Sequence, residues 1–225
     1  MHIGIIIDGN RRRAKQRNLP AREGHVAGAE TLKTAVELIF TKGIETLTVY
    51  GFSTENRKRS QPEVDALMKI FTDYLIEMQE RLKDKDVKVN ILGDITVFDE
   101  NLHQAIIDIQ ESTKEKSAHT FNLCLNYGGR PDILQAVQTL SQQIQQGLLL
   151  PAEIDENLIS THLYTAGQPD PDLIIRTSGE ERLSGFLTWQ SSYSELLFID
   201  TFRPDFNEEI LEGCLVEYEK RTRRF

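Results

Sequence analysis

The sequence has few features of a disulfide-bonded, zinc-binding or membrane protein. Its two cysteines, Cys124 and Cys214, lie far apart and lack metal-type spacing. We therefore expect reduced thiols and a cytoplasmic protein. No segment approaches the roughly 20 apolar residues needed to span a bilayer. The first apolar run begins almost at Met1, which leaves no room for a signal peptide, so a soluble protein is expected.

Positive charge is also scarce. Lys and Arg total 26 against 35 Asp and Glu, a formal net charge of −9. This balance disfavours nucleic-acid binding, which depends on a broad basic surface. The arginines are instead concentrated in four places: 11–13, 57 and 59, 176 and 182, and 221–224. Local positive charge of this kind suits a small, highly charged ligand such as a diphosphate.

Common catalytic fingerprints are absent as well. The sequence contains neither the phosphate-binding pattern Gly-x-x-x-x-Gly-Lys-Ser/Thr nor the dinucleotide pattern Gly-x-Gly-x-x-Gly. It also has no Gly-x-Ser-x-Gly elbow, although composition alone does not exclude a Ser-His-Asp hydrolase. No nucleotide-binding function is predicted.

The pattern of apolar residues predicts an α/β fold. The chain of 225 residues contains no linker, so we expect one domain over 1–225. Six apolar runs are predicted strands: 3–8, 46–52, 87–92, 120–126, 172–176 and 195–199. Helical spacing occurs between them, which predicts a central, mostly parallel six-stranded sheet flanked by helices. The apolar stripe over about 62–83 either packs in the core or forms the wall of an apolar cleft.

The first polar cluster follows the first strand. Asp8-Gly9-Asn10 leads into three arginines, Arg11, Arg12 and Arg13, and Glu23-Gly24-His25 follows. Asp8 is the natural Mg²⁺ ligand because this cation takes oxygen donors and shares its shell with substrate phosphates. A helix beginning near Val26 would place His25 beside free amides that bind anions. The alternatives are a plain turn and a structural histidine.

A second cluster follows the second strand. Ser53 and Asn56 are neutral groups that orient a substrate or relay a proton, and Arg59 can donate hydrogen bonds to a phosphate. The alternative is a solvated loop with a helix cap.

The third cluster begins at Arg176, which ends an apolar strand. A buried arginine needs an anion or a carboxylate, so Arg176 must have a partner. Arg182 and Ser184 would complete a diphosphate cradle, and Glu195 is a candidate second metal ligand. The alternative is an internal Arg–Glu ion pair.

Together the three clusters resemble the cis-prenyltransferase (undecaprenyl diphosphate synthase) family over essentially the whole chain. The matching motifs are Asp-Gly-Asn with arginine and Gly-His, Ser-x-Glu-Asn ending in arginine, and Arg-Thr-x-Gly-Glu-x-Arg-x-Ser-x-Phe with a downstream glutamate. Asn126-Tyr127-Gly128-Gly129-Arg130 and Trp189-Gln190 also fit.

The resemblance implies a reaction. Isopentenyl diphosphate would condense with an allylic diphosphate, expected to be farnesyl diphosphate, to give a Z-polyprenyl diphosphate of medium length. It also implies Mg²⁺, an apolar tunnel, a homodimer and peripheral membrane contact through the product. A basic chain end, 220–225, would help that contact or simply complement a helix dipole.

The resemblance also assigns residues. Asp8 would be the essential acid, Asn56 would assist proton removal, and Glu195 would complete the Mg²⁺ site near the dimer interface. The allylic diphosphate would be held by Gly9, Asn10, Arg11, Arg12 and His25. The reacting centre would be lined by Ser53, Glu55, Asn56 and Arg59. Isopentenyl diphosphate would be bound by Arg176, Arg182 and Ser184. The neighbouring Arg13, Thr54, Arg57 and Leu183 are included as substrate-binding residues.

The sequence departs from the family at three places. Arg13 and Arg57 stand where aromatic residues are usual, and Ala21 stands where an arginine is common. Replacing an aromatic side chain by arginine removes apolar area and adds a hydrogen-bond donor for anions. We therefore expect an altered preference among allylic substrates or reduced turnover. Gly51 is small, and the expectation of a medium-length product rests on its leaving the cleft open.

Two other functions remain as alternatives. One is a non-catalytic subunit that stabilises a partner synthase, which the intact Asp8-Gly9-Asn10 argues against. The other is a short-chain or irregular-coupling enzyme of the same chemistry.

Overall fold

The computed structural model describes residues 1–221, and its six predicted strands are all present. They are β1 (His2–Ile6), β2 (Thr46–Ser53), β3 (Val87–Leu92), β4 (His119–Tyr127), β5 (Leu173–Arg176) and β6 (Glu195–Phe198). The helices are α1 (Asn10–Gln16), α2 (Ala21–Thr41), α3 (Gln61–Arg81), α4 (Glu100–Thr113), α5 (Gly129–Gln145), α6 (Glu156–Ser160) and α7 (Glu208–Glu219). Short 3₁₀ segments occur at Thr54–Lys58, Ile95–Val97, Pro151–Glu153 and Arg203–Asp205.

The strands form one sheet in the order β3-β4-β2-β1-β5-β6, with every neighbouring pair parallel. The predicted fold class is confirmed. The chain leaves β1 toward β2 on one side and reaches β5 on the other, so the strand order reverses at β1. Ligands of such sheets bind beyond the carboxyl ends of the strands at this reversal. The residues that follow β1, β2 and β5 meet there.

Burial explains why the strands were readable from sequence. All five residues of β1 and all four of β5 are buried, as expected for parallel strands covered on both faces. The main core lies between the sheet and the helices α2, α3, α4 and α7. A smaller core cluster around Tyr127 and Phe186 covers the other face.

Helices α1 and α2 differ from the sequence expectation. Residues 10–16 form a helix that the pattern of apolar residues does not predict, and α2 begins at Ala21 after Pro20, not near Val26. The first turn of α2 is polar and exposed, so its apolar periodicity starts only later. His25 therefore lies inside the helix and not before its free amides, which corrects that prediction.

The two helices pack closely because α2 carries glycines on the contacting face. A Cβ added to Gly24 would lie 2.1 Å from the carbonyl oxygen of Asn10, and one added to Gly28 would lie 2.5 Å from Asn10 Oδ1. A side chain at Gly24 would push the backbone of α1 away, and one at Gly28 would displace the Asn10 side chain. These glycines therefore fix the position of Asn10.

No helix within residues 1–221 is long and apolar enough to cross a membrane. Of the basic chain end, residues 222–225 lie outside the described part. Arg221, which is described, donates to Glu195 Oε2 at 2.8 Å.

Candidate functional site

A cavity of about 260 Å³ opens at the carboxyl edge of β1 and β2, between the sheet and helices α2 and α3. Its mouth is polar and its body is apolar. The mouth is lined by Asp8, Gly9, Asn10, Arg11, Arg12, His25, Ser53, Asn56, Arg59, Arg176 and Ser184. The body is lined by Ile6, Ile7, Gly28, Ala29, Leu32, Tyr50, Gly51, Phe52, Leu67, Ile70, Phe71 and Tyr74. Most of the predicted site residues are thus brought to one cavity.

Asp8 is held rigidly by main-chain and side-chain contacts. Its backbone N–H donates to Thr177 Oγ1 at 2.9 Å, and the Thr177 hydroxyl donates to the Asp8 carbonyl at 2.8 Å. Gly9 follows with φ +103°, and its N–H donates to Asp8 Oδ1 at 2.7 Å. A Cβ on Gly9 would lie 2.7 Å from the Phe202 ring, so only glycine suits this turn.

Arg176 supplies the main counter-charge of Asp8. Its Nη2 donates to Asp8 Oδ2 at 3.0 Å, and its Nη1 donates to Ser184 Oγ at 2.9 Å and to the carbonyl of Arg182. Arg176 is 4% exposed. The partner that this buried arginine requires is therefore the Asp8 carboxylate, and not a glutamate as in the alternative interpretation.

The surrounding donors set the charge state of Asp8. Partial burial alone would raise the pKa of Asp8, but hydrogen bonds from Arg176 and the Gly9 N–H, with the nearby charge of Arg12, lower it below its ordinary value. Arg12 Nη2 lies 3.3 Å from Asp8 Oδ2. Asp8 is therefore an anion at neutral pH.

Glu63 is a residue of this region that the sequence analysis missed. Its Oε1 accepts from Arg59 Nη1 at 3.1 Å and lies 3.5 Å from Arg11 Nη1 and 3.9 Å from His25 Nε2. Three side chains that were predicted to bind phosphate therefore surround one carboxylate. The spacing of Arg59 and Glu63, four residues apart at the start of a helix, was the available signal.

His25 and Asn10 present unsatisfied polar atoms near the mouth. Within residues 1–221, the buried His25 Nε2 and Asn10 Oδ1 have no hydrogen-bond partner. Burial, with the positive charges of Arg59 and Arg11, lowers the pKa of His25 to about 4 against the opposing effect of Glu63. The imidazole is therefore neutral at pH 7. Buried polar atoms without a partner cost free energy, which a bound ligand can recover.

Ser53 and Asn56 bind each other around the turn after β2. The Asn56 N–H donates to Ser53 Oγ at 3.3 Å, and the Ser53 N–H donates to Asn56 Oδ1 at 3.2 Å. This is the helix cap considered as the alternative interpretation. Both residues also line the cavity, so the cap fixes the orientation of the Asn56 amide at the mouth.

Several predicted substrate-binding residues do not line the cavity. Arg13 Nε donates to Asp205 Oδ1 at 2.8 Å, on the side of α1 that faces the 3₁₀ segment at Arg203–Asp205. Glu55 and Arg57 are exposed on the turn after β2. Thr54 packs near Gly128, where an added Cβ would lie 2.9 Å from Thr54 Oγ1.

On the β5 side, Arg182 and Leu183 also lie off the cavity wall. Arg182 forms an ion pair with Glu180, which also accepts from Arg12 Nη1 at 3.2 Å. Leu183 packs against the smaller core cluster. Arg182 affects the cavity through its backbone carbonyl, which accepts a hydrogen bond from Arg176 and orients that side chain.

Glu195 does not meet Asp8 within one chain. It begins β6 opposite Leu173, the first residue of β5, and it binds Arg221. Asp8 instead contacts Arg176, at the other end of β5. The backbones of the two residues are thus separated by at least the length of a four-residue strand, roughly 10 Å, and they also lie two strands apart in the sheet. The expected two-carboxylate pocket is not formed inside a single chain, and residues 1–221 contain no group of three metal-ligating side chains.

Gly51 also differs from its expected role. It lines the cavity, but a Cβ added to it would lie 3.0 Å from Leu123 Cδ1 and 3.2 Å from Leu125 Cδ2. The space in the direction of its missing side chain is therefore already occupied. The small size of Gly51 does not leave this part of the cleft open.

The fold and the site define an α/β protein that places an anion site, built from arginines and one aspartate, above an apolar cleft. A family model described as putative undecaprenyl diphosphate synthase, Prenyltransf, matches residues 6–225. The chain belongs to this prenyltransferase family, as the sequence motifs predicted.

Curated relatives agree with this assignment. A ditrans,polycis-undecaprenyl-diphosphate synthase of Micrococcus luteus, described as specific for (2E,6E)-farnesyl diphosphate, is 46% identical over 224 residues, covering 100% of this chain and 90% of the relative. An isoprenyl transferase of Bacillus subtilis is 43% identical and covers 100% of this chain and 86% of the relative.

Solved structures agree as well. Lavandulyl diphosphate synthase from Lavandula x intermedia, in complex with dimethylallyl diphosphate, has a TM-score of 0.96 at 36% identity, covering 99% of this chain and 96% of that one. A probable undecaprenyl diphosphate synthase from Campylobacter jejuni has a TM-score of 0.81 at 28% identity, covering 100% of this chain and 97% of that one. The predicted family, fold and class of reaction, prenyl transfer, are confirmed.

Proposed function

We propose that this chain condenses isopentenyl diphosphate with an allylic diphosphate to form a new Z double bond. The observation that carries the proposal is the position of the Asp8–Arg176 pair at the mouth of an apolar cavity, between two groups of anion donors. A diphosphate head group would lie at the mouth, and a prenyl chain would enter the body. Each CH₂ buried there contributes roughly 0.8 kcal/mol.

The allylic diphosphate belongs on the α1 and α2 side. Asn10, Arg11, His25 and Arg59 line the mouth together there. The neutral imidazole of His25 donates a hydrogen bond without adding charge, while Arg11 and Arg59 supply the charge that balances the diphosphate. A bound diphosphate would compete with Glu63 for these groups.

Isopentenyl diphosphate belongs on the β5 side. Arg176 and Ser184 line the cavity and already contact each other. Arg182 is exposed and paired with Glu180, so it needs a change of side-chain position to reach a diphosphate. Its role in binding remains a prediction.

The residues at the mouth fit a Mg²⁺ ion. Asp8 is an ionised oxygen donor, and Mg²⁺ is commonly held by one or two carboxylates together with substrate phosphates and waters. When bound, the ion would neutralise the diphosphate as it leaves. Asp8 would hold the ion, Arg12 would donate hydrogen bonds to the leaving diphosphate, and Arg176 would keep Asp8 ionised.

The proton lost in the reaction needs an acceptor near the new double bond. Asn56 lines the mouth, but its amide is a poor base, and its Oδ1 already accepts from Ser53. We therefore assign Asn56 to orientation of the substrates and expect a diphosphate oxygen to take the proton.

A homodimer is part of the proposal. Strand β6 is an edge of the sheet, and all four of its residues are only partly buried. Edges of this kind are usually covered, and a second copy of the chain would cover this one. Contact of Glu195 with a metal in a dimer and membrane contact through the product remain predictions from the resemblance. A cytoplasmic location remains a prediction from the two isolated cysteines.

The experiment is a direct assay of the purified chain. Labelled isopentenyl diphosphate is incubated with Mg²⁺ and with dimethylallyl, geranyl or farnesyl diphosphate, and the products are identified by mass. We expect incorporation with at least one primer and its loss in Asp8→Asn. Asp84→Asn, a neutralised carboxylate on the exposed turn after α3, is the matched control.

The outcome separates the proposal from its alternatives. No incorporation with any primer would contradict catalysis by this chain and favour a non-catalytic subunit. A branched or cyclic product from dimethylallyl diphosphate alone would instead indicate irregular coupling.

A further inference from the structure

Ser178, in the turn that follows β5, has a backbone conformation that serine rarely adopts. Its φ is +73°, in the left-handed region where a side chain costs free energy that glycine does not. The next residue, Gly179, has φ +74° and is a glycine. The turn is fixed because the Ser178 N–H donates to the Thr201 carbonyl at 2.8 Å and the Gly179 N–H donates to the Ile199 carbonyl at 2.9 Å. The fold therefore imposes strain at position 178, which glycine would relieve.

The Ser178 side chain makes a polar contact that glycine would lack. The residue is 5% exposed, and its Oγ accepts a hydrogen bond from Arg12 Nη2. The same Nη2 lies 3.3 Å from Asp8 Oδ2, and Arg12 Nη1 lies 3.2 Å from Glu180 Oε1. Residues held in strained conformations occur often at functional sites, where the strain is offset by the arrangement it produces. Here that arrangement is the position of the Arg12 guanidinium beside Asp8.

Ser184 shows the same arrangement on the other side of Asp8. Its φ is +52°, and its Oγ accepts from Arg176 Nη1 at 2.9 Å, while Arg176 Nη2 donates to Asp8 Oδ2. One carboxylate oxygen is therefore approached by two arginines, each of which is held by a serine in the left-handed conformation. Ser184 lines the cavity, whereas Ser178 does not. Ser178 would therefore act on a bound diphosphate through Arg12, which does line the cavity.

The other two partners of Arg12 are charged, and ligand binding would change both. Mg²⁺ at Asp8 would compete with Arg12 for the carboxylate. Glu180 is shared with Arg182, whose side chain must move to reach a diphosphate. The Ser178 hydroxyl belongs to a fixed turn and carries no charge, so it stays in place and leaves the positive charge of Arg12 to the diphosphate. Ser178 is thus suited to hold Arg12 in the ligand-bound site.

We propose that Ser178 is a positioning residue for the allylic diphosphate, because its hydroxyl holds the Arg12 guanidinium at the mouth of the cavity. The inference rests on the proposed function, since it concerns substrate binding in that reaction. Without the hydroxyl, Arg12 keeps its charge but its long side chain takes more rotamers. Ordering that side chain on binding then costs entropy, which weakens the binding of the diphosphate.

Two substitutions separate the hydroxyl from the backbone strain. Ser178→Ala removes the hydroxyl and keeps a Cβ at positive φ, whereas Ser178→Gly removes both. In both variants the KM for the allylic diphosphate should rise by about threefold to tenfold, with little change in the KM for isopentenyl diphosphate. Ser178→Gly should nevertheless unfold about 2–4 °C above Ser178→Ala, because it relieves the strain. The rise in KM would then not follow from a loss of stability.

Two controls test whether the effect passes through Arg12. Asn18→Gly is the matched control, because Asn18 also has a positive φ, +54°, and does not line the cavity. Its KM and kcat should equal those of the wild type. Arg12→Ala should raise the KM for the allylic diphosphate by itself, and Ser178→Gly should add nothing further in that background.

Three results would overturn the proposal. One is an unchanged KM for the allylic diphosphate in both Ser178 variants. Another is a rise in Ser178→Gly alone, which would trace the effect to the backbone and not to the hydroxyl. The third is a further rise of the same size when Ser178→Gly is added to Arg12→Ala, which would show that Ser178 does not act through Arg12.

Binding without turnover distinguishes failure of this inference from failure of the proposed function. The affinity for farnesyl diphosphate is measured by calorimetry in the absence of isopentenyl diphosphate. Both Ser178 variants should bind it about threefold to tenfold more weakly than the wild type. Weaker binding in the variants, with no turnover by the wild-type chain, would retain the role of Ser178 and reject the function. Turnover by the wild type, with equal affinities and KM values in the variants, would retain the function and reject the role of Ser178.

Discussion

Arg176 Nη2 donates to Asp8 Oδ2 across 3.0 Å, although 168 positions separate the two residues in sequence. The sheet produces this contact, because β1 and β5 are parallel neighbours with Ile6 opposite Arg176. Both residues thus emerge at the same carboxyl edge. The pair links the two halves of the site, since Arg12 also contacts Asp8 and Ser184 also contacts Arg176.

The first prediction concerns the charge of Asp8. In Asp8→Asn the buried guanidinium of Arg176 loses its counter-ion, and a metal-bound diphosphate loses its carboxylate ligand. We expect the rate of prenyl transfer to fall by about a hundredfold or more. The free energy of unfolding should fall by only about 1–2 kcal/mol, because the Asp8 side chain is 31% exposed. Rate assays and chemical denaturation measure the two effects.

The informative control is Asp205→Asn, which neutralises a carboxylate bound to Arg13 outside the cavity. The loss in the free energy of unfolding of Asp205→Asn should be similar to that of Asp8→Asn or smaller, and prenyl transfer should be retained. A comparable rate loss in both variants would show that Asp8 acts only through stability.

The second prediction concerns the packing of α1 on α2. Gly24→Ala places a Cβ 2.1 Å from the backbone oxygen of Asn10, so the helices must separate. We expect a loss of about 3 kcal/mol in the free energy of unfolding and weaker binding of allylic diphosphate. Gly213→Ala is the matched control, because Gly213 also lies within a helix and a Cβ there meets nothing within 4 Å. It should stabilise the chain by up to about 1 kcal/mol. Equal effects of the two substitutions would contradict the close helix contact.

These contacts show which parts of the site could be read from sequence. The strands were predictable because burial on both faces leaves continuous apolar runs such as Ile3–Ile7. Asp8 and Arg176 were predictable because a polar group directly after a buried strand has few structural uses. Helix α1 was missed because its residues are polar apart from Ala14, which alone is buried.

Other features depended on tertiary contacts that sequence spacing does not encode. Glu63 meets Arg11 and His25 only after α3 packs beside α2. The separation of Glu195 from Asp8 follows from the register of β5 and β6, which fixes Glu195 opposite Leu173. The place of Tyr74 in the cavity wall was likewise hidden, because a tyrosine on a helix face is compatible with ordinary core packing.

The third prediction concerns the pH dependence of stability. The pKa of His25 falls from 6.5 to about 4 on folding, first because of burial and then because of Arg59 and Arg11. The unfolded chain therefore binds the proton more readily than the folded chain. The stability that depends on a neutral His25 is present above pH 6.5 and is lost as the pH falls toward about 4. The upper limit of this loss is roughly 3 kcal/mol.

The measurement compares the wild-type chain with His25→Gln by denaturation between pH 4 and pH 7. The stability of the wild type relative to the variant should fall as the pH falls. Burial also lowers the pKa of His2, but that effect is common to both proteins and cancels in the difference. A relative stability that rises on acidification would mean that His25 is charged in the folded state.

The last prediction concerns Arg13 and Arg57, which stand where aromatic residues are usual in the family. Arg57 is exposed beside Asn56, close to the mouth, whereas Arg13 is 15% exposed and paired with Asp205. Arg57→Trp should therefore change the preference among allylic primers or the turnover rate, with little change in stability, because it adds apolar area where the chain enters. Arg13→Trp should lower stability by about 1 kcal/mol through loss of its ion pair, and should leave primer preference unchanged. The KM and kcat for geranyl and farnesyl diphosphates, measured for both variants beside thermal unfolding, separate the two positions. If Arg57→Trp left primer preference and rate as in the wild type, the exposed arginine would have no part in substrate choice.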